Sequence, residues 1–500
     1  MRRLTAPLLA LCLTSAALAQ TMTNDQIEAA FAAGDLETAR AGLADRVASD
    51  PQPLALFRYG RMLLEGMGGD PDPQQGIALM QAAAAQGQTS AITYLGRVHL
   101  TAGPTRDPER AAQLFHQAAA SGVAEAKYYL GILYYEGVGL PQDPTLGRTW
   151  LRAAANDGYG EAQFELSQRL ADTDPATAAR WLTEAASSGV PEAQFAVARD
   201  VQSRGGPIAD VIALFTSAAE EGHVPAQRAL GTLYLTGTDG QPPDGALAEA
   251  WLRRAVQGRD LVALHNLGLA YLSGAVVRSD PEQAIDLLTL ASDNGFARST
   301  LALARASEDG TAGAAPDMVT ALEQYRRAVE QGSDGAARRL GALILDGDAA
   351  LRVPPHDAVP WVLARLEADG EEARARDWLA ARAADGVRPA QAALGAWLLA
   401  QPDAVAEAQP LLRAAADGGH VPSQFRLGEA HTTGVFGTVD YIAAHTWLNI
   451  AAASGHVRAT GMRDTVTALM TPDDIATAQD AARAYFEAAR ARPPVPQATE

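Results

Sequence analysis

The sequence contains a single cysteine, Cys12, in 500 residues. Because that residue lies in a segment expected to be removed, disulfide staples, thiol catalysis and cysteine-held metals are excluded for the mature chain. Aromatic residues make up only 6%, and few stretches alternate with period two, which argues against packed sheets. No apolar run reaches the roughly 18 uninterrupted residues of a membrane helix. Positive charge is scarce, with 40 Lys and Arg against 59 Asp and Glu and a formal net charge of -19. A surface this acidic repels nucleic acid and anionic lipid headgroups. HExxH, GxSxG, phosphate-cradling glycine loops and dinucleotide fingerprints are all missing, so neither enzyme activity nor a cofactor is expected.

The first residues read as a targeting signal. Arg2 and Arg3 precede an apolar run from Leu8 to Leu13, and Ala17-Leu18-Ala19 has the small-x-small form of a signal-peptidase site. Cleavage after Ala19 predicts a periplasmic or secreted protein. Lipid attachment at Cys12 is disfavoured, because Leu11 before it is larger than lipoprotein processing accepts.

What the chain does have is one phrase repeated along its length. Taking the residue after a recurring Leu as marker, copies fall at Gly60, Gly96, Gly131, Ser167, Ala198, Gly231, Gly268, Ala304, Gly341, Gly395 and Gly428. Their usual interval of about 31 to 37 residues is the length of a stacking helix pair. Each pair is too small to bury its own apolar stripe, so neighbours must complete the core. The expected fold is therefore all-α, an α/α solenoid of stacked antiparallel helix pairs, in a single-chain molecule. Within a copy, an Ala five residues before the marker (Ala91, Ala126, Ala162, Ala193, Ala226, Ala263, Ala390) shares a helical face with the Leu. A mid-helix Gly costs about 1 kcal/mol against Ala, so its recurrence implies a very close neighbour. Six residues later a second Gly stops the first helix in an αL cap. Asp72-Pro73, Asp107-Pro108, Asp143-Pro144, Asp174-Pro175 and Asp280-Pro281 then read as N-cap and N1 of the second helix. That helix carries a bulky residue (Phe115, Trp150, Trp181, Phe215, Trp251, Tyr325, Trp378, Trp447) and ends at a further Gly, such as Gly87, Gly158, Gly258 or Gly418.

The pattern resembles the Sel-1-like repeat family, relatives of the tetratricopeptide repeat. In the best copy Ala126, Leu130, Gly131, Tyr134, Gly137, Asp143, Trp150, Ala153, Ala154 and Gly158 match it position by position. The resemblance implies a scaffold that binds other proteins. Its bacterial relatives suggest roles in envelope signalling or exopolysaccharide production. A secreted factor acting on a host protein is the alternative. A hydrolase of the β-lactamase-like type is disfavoured, since those relatives are stapled by cysteine pairs that this chain lacks.

The expected organisation is a signal over 1–19, capping helices over 20–52 broken at Gly34, an array over 53–347, an irregular joint over 348–371, a second array over 372–470, a closing helix over 471–490 and a disordered tail over 491–500. The joint rests on the 54-residue interval from Gly341 to Gly395, in which helices are expected around Trp361 to Ala368 and from Glu371 to Ala384.

Three groups imitate sites. His420, His431, His445 and His456 suggest zinc, but His420 and His456, like His223, follow a helix-terminal Gly and read as solvated turns. Trp150, Trp181, Trp251, Trp378 and Trp447 suggest a sugar ladder, but their shared register points them into the core. Glu220-Glu221 and Glu371-Glu372 diverge and read as surface. The binding candidates lie three and six residues after the Ala, opposite the packing face at about 100° per residue: Tyr94, Arg97, Tyr129, Glu165, Asn266 and Arg426. This mixed polar and aromatic set suits protein recognition.

Overall fold

The computed structural model describes residues 22–101, 103–311, 315–347, 353–366 and 370–491. The expected signal and all but Ala491 of the expected tail lie outside these residues, as do 348–352 and 367–369 of the expected joint. Among the described residues there are 27 α-helices, one 3-10 turn at Pro402–Ala404 and no strand beyond an isolated bridge between Thr238 and Gln241. None of these helices is long and apolar enough to cross a membrane. The chain is an α/α solenoid of antiparallel helix pairs. It divides into two compact units between Leu230 and Gly231, inside the helix Val224–Thr236.

Local chemistry sets the ends of each helix. Asp72, Asp107, Asp143, Asp174 and Asp280 each accept from a first-turn amide, with Pro at the next position, and Asp244, Asp317 and Asp440 do the same without Pro. First helices stop where Gly66, Gly137, Gly274 and Gly434 turn left-handed, with φ of 68°, 69°, 60° and 73°. Second helices such as Pro73–Ala85 and Pro144–Asn156 run 13 residues, and the chain turns left-handed just past their C-cap. This register corrects two of the expected stops. At Gly258 and Gly418 the backbone is still right-handed, and the turn falls one residue later, on Arg259 (φ 59°) and Gly419 (φ 91°).

Packing explains the marker glycine. A Cβ on Gly131 would stand 2.6 Å from Leu151 Cγ and 3.1 Å from its backbone nitrogen. Gly231, Gly268 and Gly428 are pressed the same way by Leu252, Leu288 and Leu448. At Gly60 and Gly341 the neighbour is backbone itself, the carbonyls of Gly76 and Trp361. The seam alanines from Ala91 to Ala390 are all fully buried. The tryptophans fit the expectation less well. Trp181 and Trp447 are buried, but Trp150, Trp251 and Trp378 are only half-buried. They precede by one residue the position that enters the core, held by Leu151, Leu252, Leu379 and Phe115. Phe115, Phe215 and Tyr325 occupy that core register, one step from the tryptophans with which the sequence groups them.

Capped helices lie at both ends of the described array. Asn24–Ala32 opens with a Thr23 capping box, Gly34 turns left-handed and Leu36–Ser49 follows. The last helix, Pro472–Arg490, has a complete capping box between Thr471 and Asp474. Inside the expected joint, the first helix runs Pro355–Leu363 and not from Trp361 to Ala368. Pro355 presets the first turn, and the open surface of Gly341 draws the Trp361 carbonyl onto Asp334–Leu345. Val359, Val362 and Leu366 share one apolar cluster with Leu379, Leu394 and Leu398. The segment therefore supplies the second helix of its repeat and core to the next.

Candidate protein-binding face

The outward positions of the first helices are less free than their spacing suggests, because several of them tie one repeat to the next. In the first unit the Tyr94 hydroxyl donates to Glu65 at 2.9 Å, and burial together with that carboxylate pushes its pKa up to about 12. Arg97 lies over the Tyr94 ring at 5.6 Å and reaches Glu125 of the next first helix at 3.4 Å. Tyr129 stacks on Phe115, with ring centroids 4.7 Å apart. Glu165 pairs with Arg169 at 2.6 Å, and Arg169 lies 4.0 Å over the Tyr135 ring. Tyr94, Arg97, Tyr129 and Glu165 thus belong to consecutive first helices of one unit: Thr89–Leu100, Ala124–Glu136 and Gly160–Leu170. Asn266 and Arg426 belong to the other unit. There Asn266 donates to Thr232 at 3.1 Å, and Arg426 is exposed.

A second kind of link was not anticipated from sequence. Gln163, Gln194, Gln227, Gln391 and Gln424 each follow the seam residue and donate to the carbonyl eight residues earlier, on Ala155, Ala186, Ala219, Ala383 and Ala416, at 3.0–3.3 Å. Those carbonyls end the preceding second helix and have no partner within it. Each of these carbonyls also accepts from the glycine amide three residues on, so the side-chain amide supplies a second donor that ties the two helices together. The signal was present as Ala-Gln four times and Ser-Gln once, but the Gln reads as surface until the next helix is in place.

The second missed feature is an aromatic pair at the turns. Tyr128 meets Tyr159 at 5.4 Å, Phe195 meets His223 at 4.9 Å, His265 meets Phe296 at 5.4 Å and Phe425 stacks on His456 at 4.1 Å. Each pair joins the position two after the seam to a residue at the turn before the next helix, directly before it for Tyr159, His223 and Phe296 and three residues before it for His456. The histidines are therefore half-buried and not solvated. His223 and His420 also cap helices, their Nδ1 accepting from Ala226 and Ser423 amides at 3.3 Å. Burial holds both below the usual imidazole range, and it does the same for His265, His431 and His445. Among the described residues no three His, Cys, Asp or Glu converge on a point that could hold a metal. Glu371 is likewise not free surface, since it pairs with Arg374 at 3.1 Å and Arg365 at 3.6 Å.

This architecture is that of a repeat scaffold, and comparison with known proteins identifies which. The profile of the Sel1 repeat matches residues 53–88, 89–123, 124–159, 160–190, 224–260, 261–296, 297–333 and 421–456, more than half of the chain. The chain belongs to the Sel1 repeat family. The copies marked by Ala198, Gly341 and Gly395 fall outside those matches, yet each has its first helix packed on a second. Among solved structures, a protective antigen of uropathogenic Escherichia coli strains displaying an SLR fold is 24% identical, with a TM-score of 0.51, over 92% of this chain and 99% of that one. A Sel1 repeat protein from Oxalobacter formigenes is 27% identical, with a TM-score of 0.39, over 64% of this chain and 95% of its own. An immunity protein from Pseudomonas aeruginosa is 19% identical, with a TM-score of 0.32, over 42% of this chain and 82% of its own. No curated protein matches the chain.

Proposed function

We propose that the chain is an exported protein-interaction scaffold, acting in the periplasm or outside the cell, whose first helices bind a protein partner. The observation that carries this reading is the outward face of the first unit. There Tyr94, Arg97 and Tyr129 stand on adjacent helices as half-buried rings and an exposed guanidinium, the residue types that anchor protein interfaces. Its rigidity supports the reading, because Glu65–Tyr94 and Arg97–Glu125 fix neighbouring helices before any partner arrives. Crosslinking and affinity capture from cell envelopes with wild type and a Tyr94→Ala, Tyr129→Ala variant tests it. Loss of a captured protein in the variant is the expected result, and equal recovery of every partner removes this face from the proposal. Cell fractionation tests export, and a cytoplasmic pool of uncleaved chain counts against it. Within this reading the chain acts on envelope signalling or exopolysaccharide production. In a deletion strain, altered polymer transcription marks a regulator, and normal transcription with failed secretion marks an export scaffold.

A further inference from the structure

At one junction of the first unit, three tyrosines meet, and two residues from one of them stands a carboxylate without an ion pair among the described residues. Tyr128 and Tyr129 lie on the first helix Ala124–Glu136, and Tyr159 stands just before the next, Gly160–Leu170. Their rings touch, Tyr128 to Tyr129 at 5.3 Å edge-on and Tyr128 to Tyr159 at 5.4 Å. All three are half-buried, and among the described residues none of their hydroxyls makes a hydrogen bond. The charges nearby are otherwise spent on one another: Arg97 on Glu125, Arg169 on Glu165 and Lys127 on Asp157. Glu161, exposed on the first turn of Gly160–Leu170, takes part in no ion pair or hydrogen bond among the described residues. After burial, this carboxylate is among the charges that raise the pKa of all three phenols.

We propose that Tyr128, Tyr129, Tyr159 and Glu161 form a receptor for an arginine side chain of the partner protein, a proposal that rests on the scaffold reading and names the chemistry of the partner. A guanidinium over a tyrosine face is drawn by the ring quadrupole, and its planar fork suits a carboxylate beside that ring. The same face already shows this contact within the chain, where Arg169 lies 4.0 Å over Tyr135 and Arg97 lies 5.6 Å over Tyr94. Burial, and then the nearby carboxylates, raise the tyrosine pKa values, Tyr128 to about 12, so the phenols stay neutral and the rings keep their faces for a cation. The net charge of -19 adds attraction of longer range but no position.

The test uses the full mature chain and a fluorescein-labelled peptide of alternating Gly, Ser and Arg, read by anisotropy at about 0.15 M salt, where the Debye length is about 8 Å and remote charges are screened. Matched peptides carry citrulline, which keeps the shape without the charge, or lysine in place of arginine. The arginine peptide is expected to bind, the lysine peptide more weakly and the citrulline peptide not at all. Glu161→Gln and Tyr129→Leu should each weaken binding about 3- to 10-fold, the scale of a partly desolvated cation–π contact, whereas Tyr129→Phe should retain it. Glu220→Gln removes an exposed charge at the end of the second helix Ile208–Glu220 and should change nothing. Because Tyr129→Leu loses its stack on Phe115, thermal melting accompanies it, while Glu161→Gln disturbs no contact. Lys127 is the only lysine in the chain, so an amine-directed crosslinker on the bound peptide should join it there. Equal binding of the citrulline peptide, or equal losses from Glu161→Gln and Glu220→Gln, overturns the proposal. If no peptide binds while envelope capture still depends on Tyr94 and Tyr129, the scaffold reading stands and the arginine receptor fails.

Discussion

Gly131→Ala sets two familiar effects against each other at a site where the structure fixes the outcome. Helix propensity favours Ala over Gly by about 1 kcal/mol, and Gly131 sits inside the helix Ala124–Glu136. Against this, the new Cβ would lie 2.6 Å from Leu151 Cγ, 2.7 Å from Cδ2 and 3.1 Å from the Leu151 nitrogen. The side-chain atoms could swing aside, but the backbone nitrogen cannot move without shifting the helix Pro144–Asn156. Overpacking of this kind costs about 1–3 kcal/mol, so the net expectation is a loss of about 0–2 kcal/mol. Leu151 is fully buried, and Leu151→Ala alone should cost about 2–5 kcal/mol. In the double variant the methyl introduced in place of the Gly131 hydrogen occupies part of the vacated space, so the two losses should fall short of their sum by about 1 kcal/mol or more. Gly158→Ala is the control. Its Cβ meets nothing within 4 Å, but φ is +84°, so it should cost about 1–2 kcal/mol and add independently to Leu151→Ala. Urea denaturation followed by circular dichroism gives the totals, and hydrogen exchange of the two helices localises them. If Gly131→Ala stabilises by the full propensity gain, or if the double variant is additive, close approach is not why glycine recurs here.

Arg259→Gly should stabilise by about 1 kcal/mol, because Arg259 is held at φ 59°, where its Cβ is strained; an unchanged urea midpoint would show that the turn relaxes in solution. Gln227→Leu should cost about 0.5–1.5 kcal/mol by removing one buried hydrogen bond to the Ala219 carbonyl, which keeps the Gly222 amide as donor, with faster exchange confined to that junction. Asp174→Ala should cost about 1 kcal/mol through the lost cap on Thr177, and thermal melting would register it. Burial depresses the folded pKa of His223, His265, His420, His431 and His445 from an ordinary value of 6.5, so the unfolded chain takes up protons first. Stability is therefore full above pH 6.5 and falls as the pH drops from there through the folded values. Melting temperature measured from about pH 8 to about pH 5 should show this decline, and His420→Asn, which keeps a cap acceptor without the charge change, should reduce it.

Much of the repeat was legible because its signals are local. Asp174 before Pro175 needs only its own first turn to become a cap, and Gly137 needs only its own φ to stop a helix. Spacing alone put Ala126 and Leu130 on one face, and both are fully buried. The binding candidates were legible only as positions. That Tyr94 answers Glu65 and Asn266 answers Thr232 depends on residues 29 and 34 places away, and no helical period carries that information. The tryptophans show how narrow the margin is. Trp150 and Leu151 differ by one residue, or about 100° of helix, and only the Cβ-less surface of Gly131 decides that Leu151 goes in.

The sequence by itself determined the helix pair, its caps and its repetition, because hydrogen bonds and backbone preferences within a dozen residues are enough to set them. Tertiary structure alone decided which polar groups are spent between repeats and which are left over. The Gln163 amide acquires its role only when the end of the preceding helix brings the Ala155 carbonyl within reach. Pro355–Leu363 becomes part of the stack only against Gly341. Glu161 is distinguished from the other carboxylates around it only when Arg97, Arg169 and Lys127 have each found a partner. Burial and pairing are properties of neighbours, and in a solenoid the neighbours are a whole repeat away.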